Sequence, residues 1–279
     1  MNPRLPWLVR LFLAAYRVLA GATHLHTLFR DEVLWAWMRP PQREAVNRII
    51  YGQRKDLLPG GRTFEEGLFD WERLAMRQPP FPQAGRILLG GAGGGREVAQ
   101  LCGLGYEVVA FEPSEPLLEG ARQVVSRYPG SAVARASYAD LVTAVERRSG
   151  PLAAHLLNSS FDAVLLGWGS FGYVAAEADR RRLLRAIRAL APAAPILLST
   201  DWNRSAEDGR LDRLRPLLRG LFRLLGYPSA RQRGDVFLSD AGFSHCLTQD
   251  EIEADAGDSG YRIFYCRTSP YPHAVLMPN

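Results

Sequence analysis

Cysteine is scarce. Cys102, Cys246 and Cys266 are the only three, odd in number and scattered, which excludes a disulfide scaffold or a paired-cysteine zinc motif and fits reduced thiols in a cytoplasm. Lysine is scarcer still: every basic residue except Lys55 is an arginine, a bias that reads as GC-rich coding in a bacterial, cytoplasmic protein. Long apolar runs are missing as well. The most apolar early stretch, Leu5 to Ala20, is interrupted by Arg10 and Arg17, so it falls short of the roughly 20 apolar residues of a membrane span and lacks the unbroken core of a secretory signal. Neither a membrane crossing nor secretion is expected.

What remains is an ordinary folded composition. The 279 residues are 47% hydrophobic and 23% charged, which disfavours disorder and leaves room for one large core with an appendage. The net charge of +5 favours anionic partners only weakly. Arginines cluster at Arg180, Arg181, Arg182, Arg185 and Arg188 and again at Arg215, Arg219 and Arg223. With no aromatic stacking platform between them they read as solvated helix faces in preference to an RNA grip, so a nucleic-acid partner is not expected.

Residues 1–80 carry helical patterning. From Leu5 onward, Arg10, Ala14, Arg17 and Gly21 share one face of an amphipathic helix, which packs on the domain or touches a membrane surface through residues 5–20. Further helices are expected over Asp31–Met38 and Gln42–Tyr51, separated by Pro40-Pro41, and the Pro79-Pro80-Phe81-Pro82 run reads as a stiff linker. An N-terminal helical lid over 1–80 followed by a second domain over 81–279 is the expected organisation.

From residue 86 the pattern changes to apolar runs alternating with helices. The runs are Arg86–Gly90, Tyr106–Glu112, Ala132–Tyr138, Phe161–Gly167 and Ala194–Thr200, with helices near 94–104, 114–127, 139–148 and 177–190 between them. Such alternation implies a parallel sheet covered on both faces, whose ligands bind at the carboxyl ends of the strands. Two short strands about Asp240-Ala241-Gly242, a capping box at Thr248-Gln249-Asp250-Glu251, and strands at Tyr261–Cys266 and His273–Met277 complete the reading. Residues 203–247 are then an insertion after the fifth strand, the expected substrate cover.

The strongest chemical signal is the glycine loop Gly90-Gly91-Ala92-Gly93-Gly94-Gly95 between the first strand and its helix. Glycine permits positive φ and close approach of a ligand, and the helix start offers unpaired N–H groups. A dinucleotide fingerprint starting at Gly91 requires glycine where Arg96 stands, and no Gly-Lys-Ser/Thr follows for a nucleotide phosphate loop, whereas G-x-G-x-G is met by Gly91, Gly93 and Gly95. A tight strand-to-helix turn is the alternative use of these glycines. Glu112 ends the second strand 21 residues after Gly91, where a carboxylate is placed to accept hydrogen bonds from both hydroxyls of a ribose. Asp140 follows the third strand, either capping the next helix or receiving an adenine amino group.

Ile87 to Glu97, Phe111-Glu112-Pro113-Ser114, Asp140-Leu141 and Phe161-Asp162-Ala163-Val164-Leu165-Leu166-Gly167 resemble, in order and spacing, the successive motifs of class I S-adenosylmethionine-dependent methyltransferases, over about residues 80–277. The resemblance implies an α/β fold with a seven-stranded, mostly parallel Rossmann-like sheet, helices on both faces and an antiparallel last strand. It implies S-adenosylmethionine as cofactor, with S-adenosylhomocysteine as product. The loop Gly91, Ala92, Gly93 and Gly95 would wrap the methionine moiety. Glu112 with Pro113 would hold the ribose, Asp140 with Leu141 would read the adenine, and Gly167 with Trp168 would lie beneath the amino-acid end. One departure is plain: many members have an acid where Leu89 stands, which turns attention to Arg96 and Glu97 for the methionyl group. The Ser170-Phe171-Gly172-Tyr173 segment is similar to that of small-molecule methyltransferases, and the Asn/Asp-Pro-Pro-Tyr/Phe signature is missing, so a small-molecule acceptor is expected.

Trp168 and Tyr173 can face a sulfonium or line the acceptor pocket. Asp201 and Tyr51 are further acceptor-side candidates, with Trp71, His24 and His26 behind them. Methyl transfer needs a base only where the acceptor carries a proton, and His245 is the candidate for that role, with a packed histidine as the alternative. The partner acid for Asp201 in a metal site would fall at Gly167 or Trp168, so no metal is expected. An RNA or protein methyltransferase, a membrane-surface lipid methyltransferase and a non-catalytic cofactor-binding module are the competing readings. The oligomeric state is not legible.

Overall fold

In a computed structural model, residues 6–157, 159–201, 213–227 and 231–279 are described. The chain divides into a smaller unit, residues 1–43 with 204–233, and a larger one, residues 44–203 with 234–279. The expected boundary near residue 80 is therefore displaced. Residues 44–80 belong to the larger unit because Leu68, Trp71, Ala75 and Met76 pack into its core beside Ile87 and Leu89. The insertion is split too: 204–233 goes with the N-terminal helix, and 234–247 stays with the sheet.

The smaller unit is built on α1 (Trp7–Trp37), a single helix of 31 residues where two were expected. No proline interrupts it before Pro40 and Pro41, so hydrogen bonding continues through Gly21, at the modest cost of a glycine in a helix. Among the described residues it is the one helix long and apolar enough, by length and composition, to cross a membrane. Within the unit, the fully buried Glu32 carboxylate draws in Arg215, Arg219 and Arg231 at 3.1–3.3 Å.

The larger unit begins within α2 (Pro40–Gly52) and continues through the short helices α3 (Arg62–Glu65) and α4 (Asp70–Arg77). Then β1 (Arg86–Gly90), α5 (Arg96–Gly103), β2 (Glu107–Phe111), α6 (Glu115–Val125), β3 (Ala132–Ala134), α7 (Tyr138–Arg147), α8 (Ala153–Leu156), β4 (Ala163–Leu166), α9 (Glu177–Leu190) and β5 (Ile196–Ser199) alternate. The smaller unit contributes α10 (Arg215–Leu224), after which β6 (Asp235–Leu238), β7 (Gly242–His245), α11 (Gln249–Gly257), β8 (Tyr261–Arg267) and β9 (His273–Pro278) complete the chain. The seven-stranded sheet has the order β3-β2-β1-β4-β5-β9-β8, and β6 and β7 form a separate hairpin. Only β9 runs against the rest, pairing antiparallel with both β5 and β8. The expected sheet and its antiparallel last strand are thus present. The third strand is shorter than expected, because Ser137 caps a helix that starts at Tyr138.

Period-2 alternation sends successive residues of each central strand into opposite layers. Leu88, Val109, Val164 and Leu166 face a core shared with Leu141, Leu183, Ile187 and Ile252. Ile87, Leu89, Val108, Ala110 and Leu165 face the opposite core, with Trp71, Val98 and Val124. Both faces are dry, which explains the near-continuous apolar strands, each fully buried Leu, Ile or Val stabilising the fold by roughly 1.5–3 kcal/mol. The register sets Gly90 opposite Phe111 on β2 and Leu166 on β4, so the loops leaving all three strands emerge together. Strand order reverses between β1 and β4, the switch point where a doubly wound sheet opens a crevice.

The arginines of α9 differ from the expected solvated face. Arg180 is buried against Asp255 at 2.6 Å, Arg181 bridges Asp255 and Asp258, and Arg182 pairs with Glu146. These side chains tie α9 to neighbouring helices, Arg182 with both prongs of its guanidinium on the Glu146 carboxylate.

Candidate functional site

The three glycines of the loop after β1 answer different constraints. Gly91 adopts φ +71°, and a Cβ there would lie 2.9 Å from the Ser170 side chain. Gly95 adopts φ +94° at the head of α5, where a Cβ would meet the Ala121 backbone of α6 at 3.0 Å. Those two serve packing. Gly93 adopts φ +54° with nothing within 4 Å of the position its Cβ would take, so beside it the loop presents bare backbone to open space. That open space belongs to the pocket which Gly93 helps to line, and it makes the loop a backbone cradle.

The loop is braced from β2. Gly91 and Ala92 donate their N–H groups to Phe111 O at 3.0 Å. Glu112 is buried, with Oε2 accepting from the Gly93 N–H and Oε1 from the Ser114 N–H, both at 2.9 Å. Burial raises its pKa to about 7, against the pull of those two N–H groups. Each oxygen retains capacity for a further donor.

A pocket opens above the loop, lined by Gly91, Ala92, Gly93 and Gly94 from below and by Arg96 and Glu97 at the start of α5. Arg96 is buried, forked onto Glu72 at 2.7 and 2.8 Å, bonded to Glu97 at 2.6 Å and stacked 4.1 Å above the Phe69 ring. Glu97 therefore supplies a pocket carboxylate where the strand itself offers only the buried Leu89.

The opposite wall is aromatic. Trp168 packs edge-on against Phe69 and Tyr271, and Tyr51 edge-on against Tyr173 at 5.4 Å. Tyr271 donates its hydroxyl to Asp201 at 3.0 Å. Burial, ahead of every other cause, raises the pKa of Tyr51, Tyr173 and Tyr271, so these phenols stay protonated. Burial also raises that of Asp201, opposed by the bond from Tyr271. Arg54, Leu57, Leu238, Asp240 and Ala241 close the rim.

The structure thus brings together, of the sequence-derived candidates, Gly91, Ala92, Gly93, Trp168, Tyr51, Tyr173 and Asp201. Glu112 and Pro113 are not among the residues lining the pocket, Glu112 instead holding the loop through the Gly93 N–H, and Gly167 ties β4 to the loop through its N–H on Gly90 O at 2.7 Å. Asp140 is committed to its helix, its Oδ2 accepting from the N–H and hydroxyl of Ser137 at 2.8 Å. Leu141 is a correction: its side chain lies wholly in the core and its N–H bonds Ser137 O, leaving neither to read an adenine. Trp71 is core packing behind Tyr271.

His245 is the larger correction. It is fully buried on β7, with Nδ1 on Asp235 at 2.7 Å and Nε2 on Glu251 at 3.1 Å, so neither nitrogen faces the pocket. Burial alone would lower its pKa, but the two carboxylates overcome it and raise the value to about 9. A histidine held as imidazolium is no base at neutral pH. Its stabilising contribution is fully present below its ordinary 6.5 and is lost as pH rises through about 9. His245→Gln is expected to cost about 3–5 kcal/mol of unfolding free energy, as for a broken buried ion pair, and to flatten the melting temperature between those pH values. Unfolding followed at several pH values checks this, and an unchanged melting profile would contradict the clamp.

Tyr271, Arg54, Asp240 and Phe69 were not singled out from sequence. Tyr271 arrives from the β8–β9 connection, 70 residues from Asp201, and Arg54 follows α2; neither carries a local motif. Asp240 read as a hairpin turn and gave no other signal. Among the described residues no group of three or more His, Cys, Asp or Glu gathers as a metal would require.

No protein-family profile matches the sequence, and no curated protein matches it. Solved structures do. A methyltransferase dependent on S-adenosylmethionine from Methanosarcina mazei is 17% identical, over 76% of this chain and 96% of that one, with a TM-score of 0.50. Another, from Clostridium acetobutylicum, is 10% identical, over 75% and 90%, with a TM-score of 0.51. With the strand order and the glycine loop at the switch point, these likenesses show that the chain has the Rossmann-like fold of class I S-adenosylmethionine-dependent methyltransferases.

Proposed function

We propose that the protein transfers a methyl group from S-adenosylmethionine to a small-molecule acceptor. The observation that carries this is the open backbone cradle at Gly93, held in place by the Glu112 carboxylate and facing a walled pocket at the β1–β4 switch point. When bound, the cofactor supplies a methyl group already activated on a sulfonium. Glu112 fixes the loop from behind the lining and, reached past the open side of Gly93, takes the ribose hydroxyls on its remaining lone pairs. Glu97 meets the methionyl ammonium, the duty that Leu89 cannot perform. Trp168, Tyr51 and Tyr173 exclude water and offer ring faces to positive charge. A pocket walled by aromatic side chains suits a small acceptor.

Asp201 takes the place first given to His245. It is the pocket carboxylate on the acceptor side, oriented by the Tyr271 hydroxyl, and it accepts the proton of the acceptor's nucleophile. Incubation with S-adenosylmethionine and a panel of small amines, alcohols, thiols and phenols tests the proposal through release of S-adenosylhomocysteine. Release stimulated by one class identifies the acceptor; none above the unstimulated rate would contradict transfer. Asp201→Asn is expected to lower stimulated turnover by about a hundredfold, in the range of general-base catalysis, with cofactor affinity unchanged. Equal turnover in the variant would remove Asp201 from the reaction.

A further inference from the structure

The smaller unit carries a surface that the pocket does not use. On α1, Trp7, Leu8, Leu11, Phe12 and Leu19 are exposed, Trp7 to 70% and Phe12 to 67%, and Leu8, Leu11, Phe12 and Leu19 follow helical spacing along one face. On α10 of the same unit, Leu217, Leu221 and Leu224 form a second stripe at i, i+4 and i+7, Leu224 exposed to 87%. Exposed leucines in single positions are ordinary, but two continuous stripes in one small unit call for a covering partner.

The charge identifies that partner. Residues 1–43 and 204–233 hold 14 of the chain's 34 basic residues and 5 of its 29 acids, a net +9, while the rest of the chain has a net −4. Of those acids, Glu32 is buried among arginines and Asp31 pairs with Arg30 at 2.8 Å. Arg10 and Arg17 share the face of α1 opposite its stripe, and Arg213 and Arg223, both exposed, accompany the α10 stripe. Apolar stripes on helices whose other faces carry arginine, with exposed Trp7, Tyr16 and Tyr227 beside them, match an interface with hydrocarbon on one side and anionic headgroups on the other.

We propose that α1 and α10 together dock the protein on an anionic lipid surface, lying in the interface and not crossing it. Arg10 and Arg17 decide the orientation. Centred in a bilayer each would cost about 2.5–3.5 kcal/mol, whereas at the headgroup level each gains about 1 kcal/mol. The proposal is independent of the cofactor reading.

Flotation of the full-length protein with vesicles tests it, using phosphatidylcholine alone and phosphatidylcholine with phosphatidylglycerol. The protein is expected to float with the phosphatidylglycerol vesicles, to bind phosphatidylcholine at least about tenfold more weakly, and to be released by salt. Leu11→Glu/Phe12→Glu and Leu217→Glu/Leu221→Glu are each expected to weaken flotation by about tenfold or more while helix content and S-adenosylmethionine affinity are retained. Flotation equal with both vesicle types, or absent from both, would overturn the proposal. So would retention against salt and alkaline carbonate, which marks a spanning helix, or a lipid-free dimer dispersed by the same glutamates, which makes a second copy the occupant.

Discussion

Gly93→Val is expected to lower S-adenosylmethionine affinity by at least about a hundredfold, or about 2.7 kcal/mol, while the protein still folds. The space beside Gly93 is open, so the added side chain meets no protein atom within 4 Å of its Cβ and fills the cradle instead. At φ +54° a β-branched residue also carries strain of roughly 1–2 kcal/mol, which a fold of this size tolerates. Gly167 behaves differently: a Cβ there would stand 2.5 Å from Gly91 O, backbone against backbone, so Gly167→Val damages folding itself. Calorimetric titration and thermal unfolding of the two variants separate these effects. Intact cofactor binding by Gly93→Val would contradict the cradle.

The second large effect concerns Glu112. Its carboxylate accepts the Gly93 and Ser114 N–H groups, so Glu112→Gln turns one acceptor oxygen into an NH₂ donor that faces an existing donor. The unpaired buried N–H and the lost ribose contact together cost about 3 kcal/mol, a factor of about 150 in affinity. A pH signature accompanies this loss. Burial holds the group's pKa at about 7 in the free protein, and the ribose hydroxyls donate to the ionised form. Affinity is therefore full above about 7 and falls by up to about tenfold per unit as pH drops below it, a slope that Glu112→Gln removes. A titration series across pH 5.5–8.5 checks the sign, and an affinity rising towards acid would contradict the role given to this carboxylate.

The sheet was legible because buried parallel strands leave unmistakable apolar runs and the glycine loop marks where the first one ends. Two kinds of feature were not. Helix extent depends on breakers, so α1 continues through Gly21 to Trp37 where charge and composition suggested two segments. Partnerships across the chain have no local signature: His245 follows an ordinary Phe-Ser dipeptide, and only the pairing of β6 with β7 and the start of α11 set Asp235 and Glu251 on its two nitrogens. In the site, residues attached to motifs, Gly93 and Trp168 among them, were found, while Tyr271 reached the pocket through a loop whose sequence suggests only a turn. Asp140 and Ser137 form a capping box that read equally well as a ligand contact until the bonds were located.

The central claim is that the loop beneath the pocket is built for S-adenosylmethionine. Calorimetric titration of the purified protein, stripped of any co-purified ligand, with S-adenosylmethionine, S-adenosylhomocysteine and NADH in parallel tests it most directly. Micromolar binding of the first two, without heat from NADH, is the predicted result. Binding of NADH alone, or of none of the three, would contradict the account.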